Sequence, residues 1–216
     1  MGHKINPLGF RIGITEPHRS TWYARGKKYA DLIVQDHKIR EYLKTRFKSA
    51  AIEKIEIERK ADRVTIALHA GRPGVIIGKR GAEIDGLTKT LEGITGTNVK
   101  VNIQEVRKPD LSAQLVAENV AEQLERRGSF RRAMKRAVEN AMREGAKGCN
   151  VKISGRLGGA EIARVEHDHQ GSVPLNSLHT KIDYGYACAR TTYGIIGVRV
   201  WINHGRYSEI RQKQEA

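Results

Sequence analysis

Residues 74–84 read GVIIGKRGAEI, an apolar run followed by Gly78 and Gly81 on either side of Lys79 and Arg80. Glycine in a helix interior costs about 1 kcal/mol relative to alanine. Two glycines three positions apart therefore mark a turn where backbone approaches a ligand, and the cations between them select an anion. Two phosphate-binding loops can be tested by spacing. The nucleotide P-loop requires glycine five positions before its Gly-Lys pair and Ser or Thr after it, but those positions hold Pro73 and Arg80. The dinucleotide fingerprint requires glycine two before Gly78, where Ile76 stands. What remains is a Gly-x-x-Gly turn carrying two positive charges.

A second cationic group lies in SFRRAMKRAVENAMREG. Phe130, Ala133, Met134, Ala137, Val138, Ala141 and Met142 recur at the i, i+3, i+4 spacing of a buried helix face. Arg131, Arg132, Lys135 and Arg136 fall off that stripe. Like charges at i, i+4 cost a few tenths of a kcal/mol per pair, and cations in a first turn oppose the helix dipole. A face chosen for solubility alone mixes signs, and this half does not, which favours an anion-binding face. In the preceding helix, LERRG places Arg126 and Arg127 at the C-terminal dipole, with Gly128 suited to the stop.

The whole chain carries the same bias. Its 216 residues include 39 Lys and Arg against 24 Asp and Glu, a formal charge of +15 with a pI near 10. Such an excess repels itself, and a polyanionic partner is its usual reason, nucleic acid first among them. No apolar run approaches the roughly 20 residues of a membrane span, so no membrane partner is expected. Cys149 and Cys188 are far apart, which fits reduced packing residues rather than a disulfide or zinc site. No metal or cofactor is expected.

These groups need a scaffold, and the apolar periodicity supplies one. Residues 1–16 lack a period and read as an extended basic arm. From Tyr29 to Phe47, Leu32, Ile33, Ile39, Leu43 and Phe47 follow helical spacing. Ile55 and Ile57, then Val64, Ile66 and Leu68, alternate as in strands with one buried face. A short helix precedes the glycine turn, a longer one comes after it, and NVKVNIQ is a third strand. A break at Pro109, with Asp or Ser available to cap the next helix, leads to two helices. CNVKISG, AEIARVE, TKIDYGYACA and GIIGVRVWIN then read as about four strands. The fold class is α+β, in two domains: 17–107, and 108–205 with two helices and about four strands. A polar tail, 206–216, reads as disordered.

Helix, strand, strand, short helix, Gly-Lys-Arg-Gly, helix, strand is the element order of a type II KH domain. Gly78, Lys79, Arg80 and Gly81 then occupy the backbone-clamping loop. The blocks MGHKINPLGFRIGI, GRPGVIIGKRGAEI, NIQEVRKPDL, QLERRGSFRRAMKRA, SGRLGGAEIAR and TTYGIIGVRVWI carry a resemblance over nearly the whole chain to the family of small-subunit ribosomal protein three, in its bacterial or organellar form. The resemblance implies an N-terminal type II KH domain and a C-terminal α/β domain. It further implies a place in the small-subunit head, bound to small-subunit rRNA, in a cytoplasmic ribosome or that of an organelle. Ribosomal proteins two, ten and fourteen would be neighbours, and proteins four and five would share the channel by which mRNA enters. In this family the basic helix faces incoming mRNA, which falls here on Arg131, Arg132 and Lys135, with Arg136 beside them and Arg126 and Arg127 as a secondary basic pair.

One block departs from the family. Where it has an aromatic and arginine-rich segment, this chain has VEHDHQGSVPL, read as an exposed hairpin tip from Glu166 to Ser172. His167 and His169 alone fall short of a four-ligand metal site. A free regulatory KH protein would share the loop, but the arm, the second domain and the basic helix favour the ribosome. Enzyme motifs such as Gly-x-Ser-x-Gly and His-Glu-x-x-His are missing from the sequence, as is any NTPase loop. The charge excess makes one expectation measurable. If the protein neutralises about five phosphates, log K for RNA falls against log salt with a slope of about −3 to −5; a flat response in a filter-binding titration would exclude the basic surface as the binding surface.

Overall fold

The computed structural model describes residues 4–60, 63–78 and 81–210. In chain order these form α1 (Pro7–Arg11), β1 (Ser20–Thr21), α2 (Lys27–Arg46), β2 (Ile52–Lys60), β3 (Arg63–Ala70), α3 (Pro73–Ile77), α4 (Ala82–Thr95) and β4 (Asn98–Glu105). Next come α5 (Ala113–Glu125), α6 (Phe130–Arg143), β5 (Gly148–Gly155), β6 (Arg164–Gly171), β7 (Thr180–Thr191) and β8 (Gly194–Arg206). His18–Arg107 makes one compact unit, and the segments on either side of it make the other.

In the His18–Arg107 unit, alternation sets the sheet. Ile55, Ile57, Val64, Ile66 and Leu68 are all buried, and Ile57 lies opposite Ile66 in the antiparallel β2–β3 pair. β3 and β4 run parallel, so a crossover must join them; α3, the glycine turn and α4 are that crossover. Ile39 and Leu43 of α2 and Leu87 and Leu91 of α4 close the core, each such side chain contributing about 1.5–3 kcal/mol by burial. A short strand that periodicity does not show, β1, lies parallel to β2 at the sheet edge.

The first half of α2 departs from the expected stripe. Ile33 is 44% exposed and Val34 52%, while the inward position at that level belongs to Asp36. Its carboxylate accepts from Arg59 Nη2 at 2.6 Å, Trp22 Nε1 at 2.8 Å and Ser20 Oγ at 3.1 Å. One buried acid thus ties helix α2 to β1 and β2.

The second unit is an antiparallel sheet in the order β6-β5-β8-β7. α5 and α6 cover one face. Val151, Ile153, Val198, Val200 and Ile202 meet Val116, Val120, Met134 and Val138 in a single core. The cap of α5 is not the local one anticipated. Ser112 makes no side-chain cap bond, and the Ala113 N–H donates instead to Asp183 Oδ2 of β7 at 2.7 Å.

Three readings of the sequence are corrected here. Residues 7–11 of the supposed extended arm are helical, and Arg11 is fully buried. Its guanidinium donates to the carbonyls of Thr180 (3.1 Å), Pro7 (3.0 Å), Leu175 (3.3 Å) and Ser177 (2.7 Å). These four carbonyl contacts anchor the arm, and burial lowers the pKa of Arg11. In the supposed tail, Arg206 closes β8 and residues 207–210 form a helical turn. Tyr207 Oη donates to Glu16 at 2.8 Å, and Lys147 pairs with Glu209 at 2.8 Å; residues 211–216 lie outside the described residues. Finally, Glu166–Gly171 is no hairpin tip but part of an edge strand paired residue by residue with β5.

The network at Asp36 generates a stability prediction. The Arg59–Asp36 side chains are 9% and 8% exposed, so Asp36→Ala strands a buried guanidinium and costs about 3–5 kcal/mol. Lys60→Ala, at an ion pair whose lysine is 77% exposed, costs less than about 1 kcal/mol. Urea denaturation of the two variants checks the contrast.

Candidate nucleic-acid interface

The glycine turn is built by two different constraints. Gly78 ends α3 at φ 68°, and a Cβ there would stand 2.7 Å from Glu83 Cβ, so both dihedral and space require glycine. Gly81 opens α4 in the left-handed region at φ 82°, which glycine adopts without steric cost. Lys79 and Arg80, between them, lie outside the described residues.

Electrostatics around the turn are mixed. The first turn of α4 holds Glu83 and Asp85, which favour the helix dipole but repel an anion at the same helix start. Arg46 of α2 engages Glu83 at 3.1 Å and donates to Tyr42 Oη at 2.7 Å, offsetting part of that negative charge. Of the run Val75-Ile76-Ile77, only Ile76 is buried; Val75 and Ile77 are each 42% exposed, leaving an apolar ledge next to the turn. Sequence reading passes over Arg46, Val75 and Ile77, because an apolar triplet does not reveal which members face outward.

The second cationic group is assembled at the α5–α6 junction. The Arg127 N–H donates to Leu124 O at 3.0 Å and the Gly128 N–H to Gln123 O at 2.8 Å, the Schellman pattern of a helix end. The left-handed residue in it is Arg127, at φ 59°, and not Gly128. Glycine is required at 128 for a different reason: a Cβ there would lie 2.8 Å from Gln123 O. A non-glycine residue in this region costs on the order of 1–3 kcal/mol.

α6 then follows the anticipated division. Ala133, Met134, Ala137, Val138 and Ala141 are buried, while Arg131, Arg132, Lys135 and Arg136 are exposed. Its start carries no side-chain cap and no acid in the first turn, so its free N–H groups and the positive dipole end stand among cations. Lys135 approaches Glu139 only at 4.0 Å, with both side chains exposed, a pair worth little. Arg132 and Arg136 have no ion-pair partner among the described residues. Arg126 is partly committed, to Glu122 one turn earlier.

Tertiary structure adds one residue the sequence reading missed. Phe130 is flanked by two guanidinium groups, Arg131 at 5.7 Å and Arg164 of β6 at 5.5 Å from the ring centroid. Arg164 is 28 positions beyond Arg136 in sequence, and only strand pairing brings it to the start of α6. The arrangement gathers cations suited to backbone phosphates around a half-buried ring.

Other chemistry has less material. Burial pushes the Cys149 thiol up to about 12, which keeps it inert. His167 and His169 stack at 6.2 Å on β6, and among the described residues no three of His, Cys, Asp and Glu gather to hold a metal ion. No described helix is long and apolar enough to cross a membrane.

Comparison with known proteins accounts for both units. Residues 38–111 match the KH domain model, and residues 120–202 match the model of the ribosomal protein S3 C-terminal domain. The chain is 52% identical over 215 residues to small ribosomal subunit protein uS3 of Halalkalibacterium halodurans, an alignment covering 100% of this chain and 98% of that protein. It is 54% identical over 205 residues to the proteins of the same name from Acetivibrio thermocellus, with 95% and 91% covered, and Marinobacter nauticus, with 95% and 90% covered. A KH fold carrying the Gly-x-x-Gly turn, a second α/β unit with a basic helix, and identity above one half along the whole length place the chain in the small ribosomal subunit protein uS3 family, whose members are structural rather than enzymatic.

Proposed function

We propose that this protein is a structural constituent of the small ribosomal subunit head, that it binds small-subunit rRNA, and that α6 contacts mRNA where the message enters. Its neighbours are ribosomal proteins two, ten and fourteen, with four and five across the mRNA channel, in a cytoplasmic or organellar ribosome. The observation that carries the mRNA role is the outer face of α6. Arg131, Arg132, Lys135 and Arg136 are exposed, the helix start is uncapped and free of acid, and Arg164 is drawn in beside them. A helix left uncapped with cations in its first turn is less stable than it need be, and a phosphate chain reverses both costs at once.

Binding single-stranded mRNA behind an opening hairpin favours the opened state by mass action. Ribosome translocation supplies the work, since this chain has no NTPase loop. For rRNA, the support is the Gly78–Gly81 turn, with both glycines in conformations that a side chain would disturb and Lys79 and Arg80 between them.

Two experiments separate these roles. Arg131, Arg132 and Lys135 changed together to Ala leave the buried stripe untouched, so folding and incorporation into small subunits should persist. Elongation through a stable mRNA hairpin should slow several-fold relative to an unstructured message; equal rates on both would return these residues to a solvated face. Lys79→Asp with Arg80→Asp in the full chain should weaken rRNA binding at least tenfold with an unchanged circular dichroism spectrum. Undiminished rRNA affinity would exclude the clamp role.

A further inference from the structure

The two helices of the second unit cover only one face of its sheet, and the pairing register defines what the other presents. Directly opposed residues share a face. Across the order β6-β5-β8-β7, one row is therefore His167, Lys152, Arg199 and Tyr186, and the next is His169, Asn150, Trp201 and Tyr184. A third row is Val165, Ser154, Gly197 and Cys188. The acids of these strands lie on the helix side: Glu166 and Asp168 alternate away from the two histidines, and Asp183 is bound to the start of α5.

We propose that this open face is a stacking platform for single-stranded RNA, distinct from the Gly78–Gly81 turn in the other unit and from α6 on the opposite side of the sheet. Rings flank two cations in the first row, and the second row adds three more rings. Arg199 lies over the Tyr186 ring at 6.0 Å, Tyr184 and Trp201 are 5.5 Å apart, and the histidines stack at 6.2 Å. Tyr186 is 48% exposed, His167, His169 and Arg199 are exposed, and Lys152, Tyr184 and Trp201 are half-buried. The Cys188 thiol, 3.0 Å from Tyr186 Oη, restrains that ring.

Charge complementarity selects RNA over a protein surface of ordinary composition. None of the twelve positions in these three rows carries a carboxylate, and Lys152 and Arg199 sit among the rings. Rings supply sequence-tolerant stacking and the interleaved cations meet the phosphates. Sheets that read single-stranded RNA use the same combination. A strand crossing the first row from β6 to β7 meets His167, Lys152, Arg199 and Tyr186 in turn, an aromatic or a cation at each position.

Photocrosslinking tests the platform. The full chain is titrated with a 4-thiouridine-labelled oligouridylate about twelve nucleotides long, and crosslinked peptides are mapped. Adducts should form on β7 and β8 around Tyr184, Tyr186 and Trp201, and should persist when Arg131, Arg132 and Lys135 are alanine, which separates this site from the proposed mRNA contact. Tyr186→Ala should raise the RNA concentration for half-maximal adduct on these strands about tenfold, whereas Tyr186→Phe, which keeps the ring, should leave it unchanged. No adduct on β7 or β8 at saturation, or equal shifts for the Ala and Phe variants, overturns the proposal. So does a face that crosslinks to protein instead of RNA in intact small subunits.

Discussion

The second unit depends on how closely α5 can approach β7. Gly185 faces the helix, and any Cβ there would overlap the Ala113 carbonyl. Its absence brings the first turn of α5 against the strand, where Asp183 accepts the Ala113 N–H at 2.7 Å. That one contact seats the helix, supplies its cap and turns Asp183 away from the open face. With α5 seated, Val116 and Val120 reach the sheet core and α6 packs alongside. The outer side of α6 is left to solvent, and so is the far face of the sheet.

The His18–Arg107 unit solves a different problem, because its parallel β3–β4 pair obliges the chain to cross over. A crossover is normally one helix; here it is broken into α3 and α4 by Gly78 and Gly81. The break sets a glycine turn between two helices without disturbing the strands that hold it. Asp36 is the polar counterpart of Gly185. It joins α2 to Ser20, Trp22 and Arg59, and its burial makes the network costly to break while it adds little over an apolar replacement.

The α6 interface carries features that lower stability locally. Arg127 occupies a left-handed position at φ 59°, α6 begins without a cap, and cations gather at its positive end. Near the glycine turn the reverse holds: Glu83 and Asp85 satisfy the α4 dipole, and Arg46 restrains Glu83. The α6 start thus gathers positive potential in the open, while at the turn Glu83 and Asp85 offset part of it.

The one-dimensional pattern of this protein determined what depends on near neighbours. The period-two runs of β2, β3 and β5, the helical stripe of α6 and the two turn glycines all derive from side-chain alternation and local dihedral preference. So the element order from α2 onward, the Gly78–Gly81 turn and the exposure of Arg131, Arg132, Lys135 and Arg136 were legible in the sequence. Contacts between residues distant in sequence were decided by the tertiary structure alone. Arg11 reads as one more cation in a basic arm until Thr180 and Ser177 offer it carbonyls. Asp183 reads as a strand residue until Ala113 needs a cap, and Arg164 reads as a strand residue with no partner until β6 carries it to Phe130. The physical reason is the same each time. A buried polar group must find a partner, and which partner stands within hydrogen-bonding reach is set by strand register and helix packing, which local sequence does not encode.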